Sequence, residues 1–593
     1  MRQLLPKRQS SAYRSKAAWA VRFACLTIVA CVATCKVVAQ SHDAPSPQIV
    51  AIFANSDSTQ ANMVKPVTLA DGRLLGLSIT MQRPQAILGR YSNDDGATWG
   101  KPVKLFGLPE HVGAFGYFEA FTDRDGEVHI FFLNDGNTGG VAPKIATESP
   151  VRSGGVLDIW QVRSKEKASA WEPASRIWTG RAGDLLSCIQ LHSGRIILPI
   201  SYMTSRTWRQ RGEGAKAFTY VGSYSASALY SDDTGKTWKQ SSDELTVPTP
   251  DLSAIGGVEP TVIELKDGRI WMLIRTQMGH MYESFSKDEG VHWSAPRSSS
   301  IISSESPAVL VRLKDQRILL LWNECQRYPY AYGGRHVLHG AVSSDEGRTW
   351  SGYREVIRDP LSKNPPPSDS DWGVSYPFAT VARNGDVVFS IWIETGKPRS
   401  MYRLDPHWLD ATEQHTDFAA GANDWSTFGT RGVKLRQVKD GAATTALSIH
   451  RDDPDWPAGA VWNFPSGQHG KLHLRIMVQN GFRGDVLSLT DHYSVPFDEE
   501  DTLHSVFNLP IGRDGILLKD RLAPDQWHDV ALSWDTEQGV CTVSIDGNLA
   551  GTVKARRISK GIHYLRFHPA ADTSGGSLLL DKVDVKVSDG ARK

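Results

Sequence analysis

The chain has 593 residues, which is too many for one hydrophobic core, so at least two domains are expected. Its formal charge is +1, and loss of the seven basic residues of an N-terminal leader lowers it to about −6. A mildly acidic protein lacks the basic surface that binds nucleic-acid phosphates, so no nucleic-acid partner is expected. The 52 glycines and 19 tryptophans are typical of turn-rich all-β folds.

Residues 1–39 have the pattern of a secretory signal peptide. Their seven basic residues are accompanied by no acidic one, an apolar stretch covers residues 23–33, and small residues suited to cleavage occupy 37–39. The apolar stretch is too short to span a membrane, so we expect a secreted or periplasmic bacterial protein. A lipoprotein-like signal at residues 28–31 is a weaker alternative.

Cysteine and histidine are too scattered to predict a metal or disulfide framework. Only Cys188, Cys325 and Cys541 lie outside the leader, and they are far apart in sequence. The histidines have no recognisable ligand spacing, and no phosphate-binding loop is present. The sequence therefore predicts no cofactor and no metal.

A short hairpin unit recurs six times along the chain. Each copy is an apolar run, a polar two-residue turn and a second apolar run, which is a hairpin signal. The turns are Asp71-Gly72, Asp125-Gly126, Ser193-Gly194, Asp267-Gly268, Asp315-Gln316 and Asn384-Gly385. Their spacing of roughly 50 to 75 residues is in the range of propeller blades.

A second motif, Ser-x-Asp-x-Gly-x-x-Trp, recurs four times, at residues 92–99, 231–238, 286–293 and 343–350. Its Asp is expected to accept bonds from backbone N–H groups of its own turn, while its Gly takes a positive φ and its Trp packs over the turn. We interpret this motif as structural rather than as a calcium or ligand loop. Each copy follows a hairpin turn at a distance that leaves room for two more strands.

These repeats predict an all-β protein. Four strands per unit and six units make a six-bladed β-propeller over residues 46–410. Residues 410–423 are polar and form the expected linker. Residues 424–593 contain alternating strands without the octapeptide and are expected to form a β-sandwich. Its Trp527-His528 and Asp546-Gly547 segments resemble a laminin-G or concanavalin-like jelly roll.

One register position should bring functional residues together. Residues nine positions before each turn residue stand at equivalent places near the start of the innermost strand of each blade. They are Met63, Tyr117, Leu185, Glu259, Pro307 and Tyr376. Equivalent places in a closed ring converge on one mouth of the channel, so Glu259 and Tyr376 are predicted to meet there and share a proton.

The four octapeptides, together with the segments 187–199, 259–269 and 375–385, resemble the exo-α-sialidase (neuraminidase) family with Asp-box repeats. The resemblance covers roughly residues 50–405 and implies that Tyr376 is a nucleophile and Glu259 is its base. A phenol suits a substrate with a carboxylate on its anomeric carbon, because an anionic nucleophile would be repelled. The resemblance further implies that Arg275 and Arg335 bind the substrate carboxylate.

The sequence departs from this family at two places. The family's first arginine is replaced by Asn62, so Lys65 or Arg83 are the candidate substitutes. The family also has an acid/base Asp after the first hairpin, but residues 78–90 contain no acidic residue. Asp184, Glu119 and Asp371 are candidates for that role by their position near blade starts.

The first hypothesis is a secreted sialidase-like hydrolase that removes a terminal acidic sugar from a glycan, with retention through Tyr376. Sialic acid or a related sugar is the expected substrate. A polysaccharide lyase or rhamnosidase acting on uronate-containing glycans is an alternative on the same fold. A non-catalytic glycan-binding protein is another. The sequence leaves the linkage and the oligomeric state open.

Overall fold

The computed structural model describes most of the chain after its first 45 residues. The described residues are 46–53, 64–80, 82–134, 157–204, 223–249, 255–325, 334–359, 373–393, 399–427, 432–440, 442–496 and 498–588. The predicted signal peptide, Met63 and Asp371 therefore lie outside the described residues. Within the described part, no helix has the length and apolar character needed to cross a membrane.

The first part of the chain forms six antiparallel sheets. Their strands, in chain order, are β1 (Gln48–Phe53), β2 (Lys65–Thr68), β3 (Leu74–Ile79), β4 (Ala86–Ser92), β5 (Val103–Gly107), β6 (Ala114–Thr122), β7 (Val128–Asn134), β8 (Asp158–Lys165), β9 (Ala170–Trp171), β10 (Ser175–Trp178), β11 (Ile189–Gln190), β12 (Ile196–Thr204), β13 (Ser223–Ser231), β14 (Lys239–Gln240), β15 (Val258–Glu264), β16 (Ile270–Arg275), β17 (His280–Ser286), β18 (Arg297–Ile302), β19 (Val309–Arg312), β20 (Ile318–Trp322), β21 (Val337–Ser343), β22 (Ser351–Arg358), β23 (Val374–Val381), β24 (Val387–Ile393) and β25 (Arg399–Leu404).

The sheets follow one another as blades. Blade one is β2 to β5, blade two is β6 to β8 with β9 and β10, blade three is β11 to β14, blade four is β15 to β18, and blade five is β19 to β22. Blade six is β23, β24 and β25, and its outer edge is completed by β1, the first described strand of the chain. The predicted all-β, six-bladed propeller is confirmed, and pairing of β1 with β25 joins the two ends of the ring.

Apolar cores between neighbouring blades hold the ring closed. In the described residues there is one such core for each of the six blade pairs, from the Val67–Phe132 core between blades one and two to the Leu74–Val388 core between blades one and six. Every blade therefore buries both faces, as a propeller requires, and the circular arrangement leaves few exposed sheet edges.

The six predicted hairpin turns all connect the first and second strands of a blade. The glycines at these turns have φ between +83° and +102°, a region that other residues rarely adopt, and Gln316 takes φ +70° in the blade-five turn. Because all six turns have the same place in their blades, residues counted back from them are at equivalent places too.

The octapeptides connect the third and fourth strands, and their contacts are structural. In the first copy, Asp94 Oδ1 accepts bonds from the Thr98 backbone N–H at 2.9 Å and from the Ser92 hydroxyl at 2.9 Å. The Trp99 indole N–H donates to the carbonyl of Gly96 at 3.0 Å. The interpretation of this motif as a turn lock rather than a ligand loop agrees with these bonds.

The second part of the chain is a two-sheet β-sandwich. Its strands are β26 (Glu413–Thr416), β27 (Trp425–Thr427), β28 (Val433–Asp440), β29 (Ala442–Ile449), β30 (Ala460–Gly467), β31 (His469–Val478), β32 (Asp485–Thr490), β33 (Phe507–Ile511), β34 (Ile516–Leu517), β35 (Asp520–Arg521), β36 (Trp527–Asp535), β37 (Val540–Ile545), β38 (Asn548–Lys554), β39 (Ile562–Pro569) and β40 (Leu578–Ser588). Short 3-10 helices cover Pro406–Asp410 and Glu499–His504.

One sandwich sheet has the order β28-β29-β40-β31-β36-β37-β38, and β26 pairs with β40 at its side. The other has the order β27-β30-β39-β32-β33-β34-β35. The facing sides bury an apolar core that includes Trp425, Trp462 and Phe464. The segment 410–423, expected as a linker, contains β26, so the sandwich begins before residue 424.

A buried ionic cluster lies in the sandwich near the propeller. The ring of His492 has no exposed surface, and its nitrogens lie 3.1 Å from Asp491 Oδ1 and 3.2 Å from Asp501 Oδ1. Burial disfavours the imidazolium, but the two carboxylates outweigh burial and raise the pKa of His492 to about 9. His492 is therefore charged at neutral pH.

Candidate active site

Glu259 and Tyr376 stand in matching irregularities of two inner strands. The pairing of β15 with β16 shifts register between Val258 and Thr261, and that of β23 with β24 shifts between Ser375 and Phe378. Glu259 has φ +48° and Tyr376 has φ +53°, in the left-handed region. Such backbone costs of order 1–3 kcal/mol per residue and is characteristic of functional sites. The bulges are placed alike because both residues occupy the same register position of their blades.

The two side chains meet as the sequence predicts. The Tyr376 hydroxyl donates a hydrogen bond to Glu259 Oε1 at 3.0 Å, although 117 residues separate them. Arg275 Nη1 donates to the same hydroxyl at 2.8 Å and to Glu259 Oε2 at 2.5 Å. The phenol oxygen therefore has a proton acceptor on one side and a fixed cation on the other.

Blade five contributes the rest of the cluster. Arg275 Nη2 donates to Glu305 Oε1 at 2.9 Å, and Arg335 Nη2 donates to the Glu305 backbone carbonyl at 2.7 Å. The guanidinium of Arg335 lies 5.6 Å from the centre of the Tyr376 ring. Both predicted arginines thus converge on Tyr376, and one glutamate connects them.

Glu305 is a site residue that the sequence analysis did not identify. It is 1% exposed, and its second oxygen accepts a bond from Gln277 Nε2 at 2.9 Å. The signal available in the sequence was its place two residues before Pro307, the blade-five residue of the same register position. An isolated glutamate in a serine-rich segment has no motif, so only the contact with Arg275 reveals its role.

Burial and charge together set the protonation of the site. Burial raises the pKa of Tyr376 above its ordinary value; Arg275 and Arg335 oppose this effect, and Glu259 adds to it. Burial disfavours the charge on Arg275, but Glu259 and the other acidic neighbours raise its pKa well above the ordinary value. Arg275 is therefore a permanent cation next to a protonated phenol.

Lys65 and Glu119, two proposed substitutes, bind each other. Lys65 Nζ lies 2.7 Å from Glu119 Oε2, and each side chain is 4% exposed. Burial raises the pKa of Glu119, although the charge of Lys65 opposes this. Lys65 Nζ also lies 5.1 Å from the centre of the Phe378 ring. Phe378 lies on β23, the strand that contains Tyr376. The pair adjoins the site, but the ammonium is already neutralised by a carboxylate.

Asp184 and Arg83 occupy different surroundings. Asp184 is partly buried, and its charge contributes to the raised pKa of both Tyr376 and Tyr224, so it lies within electrostatic reach of the site. Arg83 donates to the carbonyl of Glu110 at 3.4 Å and packs over Gly113 at the entry to blade two.

Comparison with known proteins yields one family and several distant relatives. The family model described as a BNR repeat-like domain matches residues 119–389. The chain is 24% identical over 450 residues to a sialidase of Micromonospora viridifaciens, covering 69% of this chain and 60% of that protein. It is 25% identical over 282 residues to a sialidase of Clostridium perfringens, covering 43% and 66%. The chain therefore spans less than two thirds of the length of either relative.

Solved structures are similar only in a broad sense. A protein of unknown function from Dyadobacter fermentans has a TM-score of 0.43 at 16% identity, covering 61% of this chain and all of that one. A Trypanosoma rangeli sialidase in complex with 2,3-difluorosialic acid has a TM-score of 0.41 at 13% identity, covering 92% and 96%. The matched repeats and the sequence relatives support a divergent relationship of the chain to the sialidase superfamily with BNR repeats.

Proposed function

We propose that this protein is an exo-acting glycoside hydrolase that releases a terminal acidic sugar with retention of configuration through Tyr376. The main supporting observation is the hydrogen bond from the Tyr376 hydroxyl to Glu259. Arg275 donates a hydrogen bond to the same tyrosine oxygen. The sialidase relatives support a sialidase-like glycosidase. Secretion, the tyrosine mechanism and the identity of the sugar are parts of this proposal.

In the first step, Glu259 takes the phenolic proton as the Tyr376 oxygen attacks the anomeric carbon. The bond from this carbon to the leaving oxygen breaks, and that oxygen takes a proton from a general acid. In the second step, water attacks the same carbon and gives a proton to the conjugate base of the general acid, the bond to Tyr376 breaks, and Glu259 returns its proton to the phenol. The two inversions give net retention.

Arg275 and Arg335 have two tasks in this scheme. Arg275 stabilises negative charge as it develops on the phenol oxygen, since its Nη1 is 2.8 Å away. Both arginines converge on Tyr376, so we assign the substrate carboxylate to Arg275 and Arg335 together. Asp184 is our candidate for the general acid, because its charge reaches Tyr376 from outside this cluster.

The test measures release of a fluorogenic sialoside by the wild type and by Tyr376→Phe. The proposal expects activity in the wild type and background rates in the variant. Tyr402→Phe is the matched control, because Tyr402 is a buried tyrosine of the same blade that packs on Phe389 in the outer part of the sheet. It should keep the wild-type rate.

Trapping provides a second readout. Incubation with 2,3-difluorosialic acid should add one sugar to the protein, and peptide mass spectrometry should locate the sugar on Tyr376. Asp184→Asn should slow substrates with poor leaving groups far more than activated aryl glycosides. An unsaturated product absorbing in the ultraviolet would instead indicate a lyase. Glycan binding without turnover across a panel of acidic glycans would indicate a binding protein.

A further inference from the structure

Three neighbouring blades carry a buried polar residue near the end of the second strand. Arg275 has this place in blade four, seven positions after the turn residue Gly268. The equivalent residues of blades three and five are Ser201 and Asn323, both without exposed surface. Arg275 belongs to the candidate active site, and the Ser201 hydroxyl accepts a bond from the Glu259 backbone N–H at 3.2 Å. Asn323 therefore has the place on blade five that Arg275 has on blade four.

The side chain of Asn323 bonds to three separate segments of the chain. Its Nδ2 donates to the backbone carbonyl of Val337 at 2.7 Å and to that of Val374 at 2.8 Å. Its Oδ1 accepts a bond from the Ser306 hydroxyl at 2.6 Å. A carbonyl can only accept, so the NH2 group has to face the two carbonyls, which defines the orientation of the amide. One planar group thus joins blade five, blade six and the connection between blades four and five.

The segment that contains Ser306 carries Glu305. Ser306, which bonds to the amide oxygen, directly follows Glu305 in sequence. On the other side of Glu305, the backbone N–H of Ser304 donates to the backbone carbonyl of Asn323 at 3.0 Å. Both neighbours of Glu305 are therefore bonded to one residue. These bonds fix the segment from which the Glu305 carboxylate and carbonyl contact the two arginines of the site.

The other two segments carry Arg335 and Tyr376. Val337 is two residues after Arg335, and Val374 is two residues before Tyr376. The Val374 N–H also donates to the Arg335 backbone carbonyl at 2.8 Å. Gly373 permits this close approach, because a Cβ atom at its position would lie 2.8 Å from Arg335 Cβ. The amide of residue 323 thus connects the segment of Arg335 with the strand of Tyr376.

The backbone next to Asn323 is held by the sandwich. Glu324, the following residue, accepts a bond at its carbonyl from the Tyr493 backbone N–H at 3.0 Å. Its carboxylate Oε2 lies 2.9 Å from His563 Nε2, and all three residues are buried. Asn323 is therefore attached to a backbone that both domains contact, so its side chain can hold the other segments in place.

These bonds matter because the proposed reaction needs several groups at set distances. Arg275 Nη1 lies 2.8 Å from the Tyr376 hydroxyl, and the guanidinium of Arg335 lies 5.6 Å from the centre of the Tyr376 ring. Misplacement of such a group by about 1 Å can lower an enzymatic rate by about 100-fold. A residue that holds the segments of Glu305, Arg335 and Tyr376 together therefore affects turnover through its neighbours.

We propose that Asn323 is a positioning residue, whose amide keeps Glu305, Arg335 and Tyr376 in the arrangement that binds and attacks an acidic sugar. It acts through the backbone of neighbouring residues and is not itself a catalytic residue. The inference rests on the proposed function for the purpose of this arrangement, whereas the arrangement itself can be measured without turnover.

The experiment replaces Asn323 by Asp, which keeps the shape but removes both N–H donors. An ionised carboxylate only accepts, so it would face the two carbonyl oxygens without a proton to share. Burial raises the pKa of such a carboxyl, and its protonated form regains one donor as the pH falls. Ser306→Ala is a milder second variant, because it removes only the bond to Asn323 Oδ1.

Asn463→Asp is the matched control, because the Asn463 amide makes the same set of bonds elsewhere. Its Nδ2 donates to the carbonyls of Tyr353 and His563 at 3.0 and 3.1 Å, and its Oδ1 accepts from the Glu355 N–H at 3.0 Å. Asn463 is buried as well. Its bonds join β22 to the sandwich, so they test the loss of a buried amide away from the candidate site.

Two readouts are measured on the full chain. The first is fluorine NMR of 3-fluorotyrosine placed at residue 376, and the second is steady-state release of a fluorogenic sialoside. Asn323→Asp should shift the fluorine resonance and lower kcat/KM by about 100-fold, with changes in both kcat and KM. The deficit relative to the wild type should shrink as the pH falls. Ser306→Ala should change both readouts in the same direction by a smaller factor, about tenfold in kcat/KM.

Asn463→Asp should lower the melting temperature but keep the wild-type resonance and kcat/KM. A wild-type resonance and kcat/KM in Asn323→Asp would overturn the proposal. If that variant does not fold, Ser306→Ala decides by the same criterion. Equal changes in Asn463→Asp would also overturn it, because the effect would then be one of general stability. If the wild type releases no sialoside, the proposed function fails, and the fluorine resonances alone decide whether Asn323 positions Tyr376.

Discussion

Replacement of Glu259 by Gln tests the proposed proton transfer most directly, because it changes charge but hardly changes shape. The Tyr376 oxygen lies 3.0 Å from Glu259 Oε1 and 2.8 Å from Arg275 Nη1. With an effective dielectric constant of about 20, each of these contacts corresponds to about 6 kcal/mol of Coulomb energy, with opposite signs for the phenolate. The two contributions nearly cancel, which leaves burial as the main cause of the raised pKa of Tyr376.

In Glu259→Gln the attraction of Arg275 is no longer opposed, so the pKa of Tyr376 should fall. The turnover number should nevertheless drop by about 10²–10⁴-fold near neutral pH, because the proton acceptor is gone. Activity should recover as the pH rises and the phenol ionises without help. Rate profiles against pH, together with tyrosinate absorbance, measure both effects.

Glu305→Gln is the matched control for Glu259→Gln. It removes an equal charge from Arg275 but leaves the hydrogen bond between Tyr376 and Glu259 intact. It should not shift activity toward high pH. Near-wild-type turnover at neutral pH in Glu259→Gln, with an unchanged or higher pKa of Tyr376, would refute the assignment of Glu259 as the base.

Three further predictions concern the contacts around the site and the sandwich. Glu305→Gln should raise KM for an acidic glycoside by about tenfold with a smaller change in kcat, because Arg275 loses an anchor, as steady-state kinetics would show. Because the pKa of His492 is raised, its charged ring stabilises the fold fully below a pH of about 6.5, its ordinary pKa, and this stabilisation is lost as the pH rises through about 9. The contribution to the free energy of unfolding amounts to about 3 kcal/mol. Denaturant unfolding of the wild type and of His492→Gln across that pH range measures it. Lys65→Met should destabilise the protein by about 3–5 kcal/mol by leaving Glu119 buried without its partner, and added Glu119→Leu should restore most of that loss; an equally unstable double variant would contradict this account.

Local sequence signals were sufficient for the architecture and for the central pair. Turns such as Asp267-Gly268 and the octapeptides depend on bonds and φ angles within a few residues, so they can be recognised without knowledge of the fold. Because six equivalent turns set a common register, counting back nine residues was enough to predict that Glu259 meets Tyr376. The regular repeat therefore allowed a contact between residues distant in sequence to be predicted from local patterns.

Contacts that depend on the relative placement of blades and domains could be decided only by the tertiary structure. Nothing in the pattern around Glu305 indicates that it connects Arg275 with Arg335, since those three residues belong to separate segments of blades four and five. The same holds for the Lys65–Glu119 pair between blades one and two, and for β1, which completes blade six from the far end of the ring. A cleft lined by blade residues such as Ser300 and by sandwich residues such as Ser466 has no sequence signature, because its walls become neighbours only when both domains are folded and packed together.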